Sequence, residues 1–294
     1  MTLEIFKLKN DFDIKTEKVK SFYRSNPFPG YKSSANKFSI LNNGDKSLPF
    51  KKIKDLFNNK KKILEIGSGT CQLSSFFAIG TNNEICAFDA TYESLNEGKK
   101  FCEKNQIKNI KFVQGNILKD NFKKNYFDLV LCNGVLHHTS DPYLGFKNSL
   151  SALKKGGVIV LGLYNKYGRF TTLLLRLVYK IFGKKIVALI DPMTRNMKLE
   201  YKEKEAWIED QFNHPLEKCY SFSEIKEWFK ENNISLLSSI PEATSLNFND
   251  ISKKDILNAK KHDLSKFHIL TEIGMIFSSY GKDGGLFIFI GVKN

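Results

Sequence analysis

Between residues 60 and 165 the chain alternates short apolar runs with amphipathic stretches, and no other feature restricts its fold as much. The runs KKILEIG (61–67), EICAFDA (84–90), IKFVQGN (110–116), YFDLVLCN (126–133) and GVIVLGLYN (157–165) are rich in Ile, Val, Leu and Phe, and end at or beside Gly, Asp or Asn. Runs apolar on both faces suit strands of a parallel sheet covered by helices on both sides. Between them, TYESLNEGKKFCEKNQ (91–106) and PYLGFKNSLSALKK (142–155) have helical spacing, the second closed by Gly156-Gly157. Such alternation calls for right-handed βαβ crossovers. The expected fold is α/β: a doubly wound, mainly parallel sheet with helices on both faces.

The flanks are read as additions to that core. Residues 1–59 are expected to form an N-terminal lid or helical extension, in which SFYRSNPFPGYKS (21–33) cannot be one continuous helix. Residues 60–165 form the ligand-binding core, and residues 166–294 a helical cap that also completes the sheet. Within the last part, 168–232 is mainly helical, SLLSSIPE (235–242) is a candidate strand, 251–280 a helical excursion and GLFIFIGVK (285–293) a closing strand, expected to run antiparallel. No clean boundary separates these parts, so the flanks are expected to build onto one sheet. The oily segment FTTLLLRLVYKIFGKKIVALI (170–190) is interrupted by Arg176, Lys180, Lys184 and Lys185. A buried cap helix is the preferred reading, with an amphipathic helix touching a membrane as the alternative.

Composition removes several classes. With 294 residues, 41 % apolar and 26 % charged, the chain can bury a core and is neither disordered nor fibrous. No run of eighteen uncharged apolar residues exists, so no spanning helix is expected. The start, MTLEIFKLKNDFDIKTEK, is too charged for a secretory signal. The net charge of +15 raises nucleic acid as a partner, but only four of the 46 basic residues are arginine (Arg24, Arg169, Arg176, Arg195) and the lysines are spread along the chain. A solvated lysine surface is the preferred reading, and nucleic acid is not expected. Five cysteines without a C-x-x-C pair argue against a disulfide framework or zinc site and for reducing cytosol, so a cytoplasmic location is expected.

The first core strand runs into Glu65-Ile66-Gly67-Ser68-Gly69-Thr70, followed by a helix from about Cys71 to Ala78. Glycines there permit a sharp turn and the close approach of a ligand, at the nucleotide position of a doubly wound sheet. Asp89 ends the second strand, 22 residues after Gly67, where a carboxylate can take both hydroxyls of a ribose. The dinucleotide fingerprint needs a glycine three residues after the second one, and Gln72 stands there. Glu65 suits a cation better than a pyrophosphate. The pattern fits S-adenosylmethionine, which carries a ribose, an amino group and a sulfonium but no phosphate.

Over about residues 60–165 the chain resembles the class I S-adenosylmethionine-dependent methyltransferases. The resemblance implies that Glu65, Gly67, Ser68 and Gly69 hold the methionine end, and that Asp89 with Ala90 binds the ribose. It also implies that Asn116 and Ile117 contact adenine, and that Asn133, in NGVLHH (133–138), passes under the cofactor. Cys71 replaces a third glycine often found in the loop. A narrower resemblance joins NPFPGY (26–31), GSGTCQ (67–72), GVLHHTSDP (134–142), GLYNKYGR (162–169) and DQFNHPLEKCYS (210–221) to bacterial methyltransferases with an N-terminal Asn-Pro-aromatic-Pro segment. The implied cofactor is S-adenosylmethionine, leaving as S-adenosylhomocysteine, with no metal.

Transfer from a sulfonium is an in-line displacement, so the protein aligns donor and acceptor and excludes water, with a base where the acceptor carries a proton. His138 and His137 follow the fourth core strand and are the candidate bases, with Tyr164 beside them. Asn165, Arg169, His214 and Tyr220 are candidate acceptor ligands, and Tyr23, Asn26, Phe28 and Tyr31 a candidate aromatic lid. The expected activity is methylation of a small molecule; the alternatives are an RNA methyltransferase, a quinone or lipid methyltransferase, and a cofactor-binding protein without catalysis. Oligomeric state stays open.

Overall fold

A computed structural model describes residues 3–9, 11–25, 27–196, 201–257, 262–278 and 284–294. Eight strands, β1 (Ile5–Lys7), β2 (Lys62–Ile66), β3 (Glu84–Asp89), β4 (Ile110–Gln114), β5 (Phe127–Asn133), β6 (Leu153–Tyr164), β7 (Ile234–Ile240) and β8 (Leu286–Lys293), join in one sheet. Their order is β1-β4-β3-β2-β5-β6-β8-β7. The six from β1 to β6 are parallel neighbours, and β8 lies antiparallel between β6 and β7. The order reverses between β2 and β5, and that switch point opens a crevice at the carboxyl ends of the strands.

The helices follow in chain order: α1 (Ile14–Ser25), α2 (Lys37–Lys46), α3 (Leu48–Leu56), α4 (Gln72–Ala78), α5 (Tyr92–Lys104), α6 (Pro142–Ala152), α7 (Phe170–Phe182), α8 (Lys184–Ile190), α9 (Pro192–Asn196), α10 (Tyr201–Phe212), α11 (Phe222–Glu231), α12 (Lys253–Leu257) and α13 (His268–Ser278). Alternate strand residues feed two cores. Ile63, Leu129, Leu131 and Val160 enter one with Phe76 and Phe77 of α4, and Leu64, Val130, Cys132 and Leu161 enter the other with Phe146 and Phe229. Each core strand is therefore apolar on both faces, as the continuous runs require.

The structure departs from the sequence reading in three places. The N-terminal part contributes a strand as well as helices, β1, which pairs with β4 at the sheet edge. Helix α6 stops at Ala152 rather than at the glycine pair, because Leu153 already pairs with Phe127 of β5. Gly156 (φ +74°) lies inside β6, where it follows the register shift between Phe127 and Leu129. Finally, the oily segment is not a buried helix. Gly183 (φ +75°) splits it into α7 and α8, and Leu173, Leu174, Leu177, Ile181 and Phe182 are exposed. Of α7, only Thr172 is buried. Among the described residues no helix is long and apolar enough to cross a membrane.

Candidate active site

Every core strand delivers a turn to the crevice. β2 leads into Gly67 (φ +66°) and Gly69 (φ +51°), in the left-handed region where a side chain is strained. A β-carbon at 67 would overlap the Val135 side chain, and one at 69 the carbonyl oxygen of Phe28. Cys71 takes the same left-handed conformation (φ +63°) at the start of α4, which accounts for glycine being common there. The strap formed by residues 28–31 thus lies directly over the loop. Gln72 Nε2 donates to the carbonyls of Gly30 (2.8 Å) and Pro29 (3.2 Å), and Tyr31 OH donates to the Thr70 carbonyl (2.7 Å). Gln72, which stands where the dinucleotide fingerprint has its last glycine, fastens that strap.

Asp89 closes β3 and is held from behind. Its two oxygens accept the backbone N–H groups of Gly69 and Thr91, each at 2.8 Å. An ionised carboxylate has about four acceptor positions, so lone pairs remain for a ligand. Glu65 is buried, accepts a hydrogen bond from Ser74 Oγ, and is pushed up to about 8 by burial. A carboxyl group with that pKa is largely protonated at neutral pH and ionises when a cation arrives.

A cavity of about 480 Å³ collects these groups. Glu65, Gly67, Ser68, Gly69, Asp89, Ala90, Asn116, Ile117 and Asn133 all line it, as do His138, Tyr164, Tyr23 and Phe28. Its titratable wall favours a cation: three carboxyls, Glu65, Asp89 and Asp210, face one ammonium, Lys20, which already pairs with Glu17 at 3.1 Å. A pyrophosphate would meet that wall unfavourably and a sulfonium with an amino group would not. Asn133 lines the cavity too, but its Oδ1 is packed against Gly162 and buried without a partner. The residues present therefore fit S-adenosylmethionine.

Other expected residues are engaged within the protein, most of them away from the cavity wall. Asn116 accepts from Leu118 N–H (3.0 Å) and donates to the Asp11 carbonyl (2.9 Å), so its amide ties the N-terminal segment to the end of β4. Tyr31 stacks on Phe101 of α5, ring centres 4.4 Å apart, outside the cavity wall. Asn165 donates to Glu272 and accepts from the N–H groups of Tyr167 and Gly168. Arg169 is fully buried in a two-pronged pair with Glu217 (3.0 and 2.6 Å) and does not line the cavity. Tyr220 N–H donates to the Tyr164 carbonyl, and its ring packs on Trp228. Asn26 lies outside the described residues.

Side chains of α10 complete the far wall. Asp210 Oδ1 accepts from Tyr23 OH (2.7 Å) and Oδ2 from Gln211 Nε2 (2.9 Å). Gln211 is oriented by Arg169, whose Nη1 donates to its Oε1 (2.6 Å), and its Nε2 also reaches Tyr164 OH at 3.1 Å. Tyr164 therefore accepts from Gln211 and keeps its own hydrogen for a ligand. Burial pushes its phenol up to about 12, against the neighbouring Arg169. The Arg169 guanidinium covers one ring (3.8 Å to the centre), and His137 stacks on Tyr164 at 4.1 Å. Asp210, Gln211 and Trp207 were missed from sequence; Asp210 stands four residues before His214, inside the motif DQFNHPLEKCYS.

One backbone residue sets two histidine tautomers. The Leu216 carbonyl takes the hydrogen of His138 Nδ1 (2.8 Å), leaving Nε2 with its lone pair. The Leu216 N–H donates to His214 Nδ1 (3.2 Å), so His214 carries hydrogen on Nε2, which is buried without a partner. The two rings lie 3.6 Å apart, and burial lowers His138 to about 3 and His214 to about 2, so both are neutral. Among the described residues, His138, Asp210 and His214 have metal-like spacing, their ligand atoms within 4.8 Å. The tautomer of His214 opposes a metal: its Nδ1 accepts from Leu216 N–H and its Nε2 carries hydrogen, so neither nitrogen has a lone pair to give.

A switch-point cavity walled by Glu65 and Asp89 rather than by a phosphate loop fits the class I S-adenosylmethionine-dependent methyltransferases. Residues 57–233 match the family described as “Methyltransferase domain”, and the chain belongs to it. It is 24 % identical over 166 residues to demethylmenaquinone methyltransferase of Staphylococcus aureus, covering 56 % of this chain and 63 % of that protein. An uncharacterized protein of Synechococcus sp. is 23 % identical over 203 residues, 60 % of this chain and 48 % of its own length. The chain thus spans about half the length of these curated relatives. Geranyl diphosphate C-methyltransferase of Streptomyces coelicolor A3(2) shares the fold, with a TM-score of 0.55, 12 % identity, and coverage of 97 % of this chain and 100 % of that one.

Proposed function

We propose that the chain methylates an oxygen or nitrogen of a small-molecule acceptor held in the cavity beside His138 and Tyr164, with S-adenosylmethionine as donor. The observation that carries this reading is the cavity itself: a neutral imidazole with a free Nε2 lines the same cavity as Glu65 and Asp89. When bound, the cofactor supplies a methyl group already activated on a sulfonium. The residues align and exclude water. Tyr164 donates its hydrogen to the acceptor, Gln211 fixes the phenol, and the strap over Gly69 covers the loop.

Charge conservation explains how so weak a base serves. His138 Nε2 would take the acceptor's proton, while the bound cofactor would supply the methyl group and give up its positive charge as a neutral thioether. One positive charge would be present before and after, so the cavity would take on no new charge, and Asp210 stands beside His138 to face the imidazolium.

Incubation with methyl-labelled S-adenosylmethionine and a fractionated cell extract tests the reading. Label is expected in the low-molecular-mass fraction, and lost with His138→Gln. Label in RNA, or in no acceptor, would contradict it. A cytoplasmic location belongs to the same proposal.

A further inference from the structure

Helices α7 and α13 each present two faces, and the outward one is apolar. On α7, Thr172, Leu175, Arg176 and Tyr179 turn inward: Leu175 and Tyr179 pack near Ile208 and Phe212 of α10, and Arg176 reaches Gln211 and Glu217. Phe170, Leu173, Leu174, Leu177 and Ile181 repeat at helical spacing on the other side, all exposed, and Ile186, Leu189 and Ile190 of α8 extend the surface. On α13, Glu272 and Met275 are buried, whereas Ile269, Leu270, Ile273 and Phe277 are exposed, the last by 80 %.

The two helices leave one junction. Glu272 Oε2 accepts from Asn165 Nδ2 and from Phe222 N–H, and Met275 abuts Gly168, two residues before α7 begins. Fourteen of the nineteen exposed large apolar side chains recorded among the described residues belong to α7, α8, α13 or the residues joining them to the fold. Apolar surface on monomers is ordinarily scattered, so this concentration marks a contact surface.

We propose that this face seats the protein on an anionic lipid bilayer, with α7 and α13 lying in the interface plane. Charge complementarity selects that occupant. Residues 170–190 contain no Asp or Glu, but contain the exposed Lys180 and Lys185, with Lys184 exposed and paired with Glu205 of α10, and Lys266 is exposed just before α13. The only acid of α13, Glu272, is buried and engaged. Basic side chains beside an apolar helical stripe match the headgroup and acyl layers of an anionic leaflet. The face is made of helix surfaces rather than a groove, and no described helix can span, so the protein lies on the membrane.

Sedimentation with large unilamellar vesicles tests this directly. The protein is expected to pellet with vesicles of phosphatidylcholine and phosphatidylglycerol, to lose that binding in high salt, and to bind vesicles of phosphatidylcholine alone less. Leu174→Glu with Leu177→Glu, and separately Leu270→Ser with Phe277→Ser, should abolish pelleting while S-adenosylhomocysteine binding is unchanged, which shows that the variants fold. Lys180→Glu with Lys185→Glu should weaken it to the level of neutral vesicles. Absence of vesicle binding would overturn the proposal. So would a homodimer in analytical ultracentrifugation that the apolar variants split, since the face would then be an interface between copies. Vesicle binding is independent of the methyl-transfer reading: loss of either result leaves the other standing.

Discussion

The two ends of the cavity are built by different means. At the β2–β3 end the wall is a tight loop with left-handed glycines and an aspartate, Asp89, held by backbone N–H groups. At the β5–β6 end it is made of side chains that fix one another: Glu217 holds Arg169, Arg169 holds Gln211, Gln211 holds Asp210 and Tyr164, and Leu216 sets both histidine tautomers. The first construction suits a ligand that never varies. The second lets acceptor chemistry change by substitution without disturbing the loop, because orientation is relayed through replaceable groups.

The sharpest break between the ends should come from Arg169→Ala. It leaves Glu217 buried with Arg176 as its remaining cation, and loss of one partner of a buried pair costs about 3–5 kcal/mol. Chemical denaturation is expected to show that loss. Arg169→Lys should restore only part of it, because an ammonium cannot make the two-pronged contact. His138→Gln comes next. Turnover should fall by about 10²–10⁴-fold, while calorimetry gives wild-type affinity for S-adenosylhomocysteine. An equal loss of cofactor affinity would show that the ends are not separable.

The Glu65 carboxyl offers a smaller effect with a definite sign. Its pKa is raised by burial from the ordinary 4.5 to about 8, so the stability it favours is complete below pH 4.5 and lost as pH rises through 8. A bound cation reverses this by favouring the carboxylate. Affinity for S-adenosylmethionine should therefore rise from pH 6.5 to about 8 and then level, with proton release visible as a buffer-dependent heat; Glu65→Gln should flatten the profile. His138 and His214 act in the opposite sense. Their lowered pKa values mean that stability present above pH 6.5 is lost as pH falls towards about 3 and 2. Least of all, Gln72→Ala removes two hydrogen bonds to the strap and should cost about 1 kcal/mol, read as a small drop in melting temperature with faster proteolysis near residue 30.

The same contrast explains what the sequence disclosed. Doubly buried strands must be continuous apolar runs, and Gly67, Gly69 and Asp89 have few residue types that could replace them, so this end was readable one position at a time. The acceptor end was readable only in part. His138 and Tyr164 announce themselves after strands, but Asp210 and Gln211 reach the cavity from a helix some 120 residues beyond Asp89, and no local pattern records that meeting. Arg169 has the composition of an acceptor ligand, yet its partner Glu217 decides its role. The three-residue β1 has no periodicity to detect, and whether the stripe of α7 faces core or solvent depends on what packs against it.

Titration calorimetry with S-adenosylhomocysteine, on the wild type and on Asp89→Ala, tests the central claim most directly. Micromolar binding to the first and none to the second is the predicted result. Absence of heat with the wild type, or its displacement by a phosphate-bearing dinucleotide, would contradict a cavity whose carboxyl wall is made for a sulfonium nucleoside.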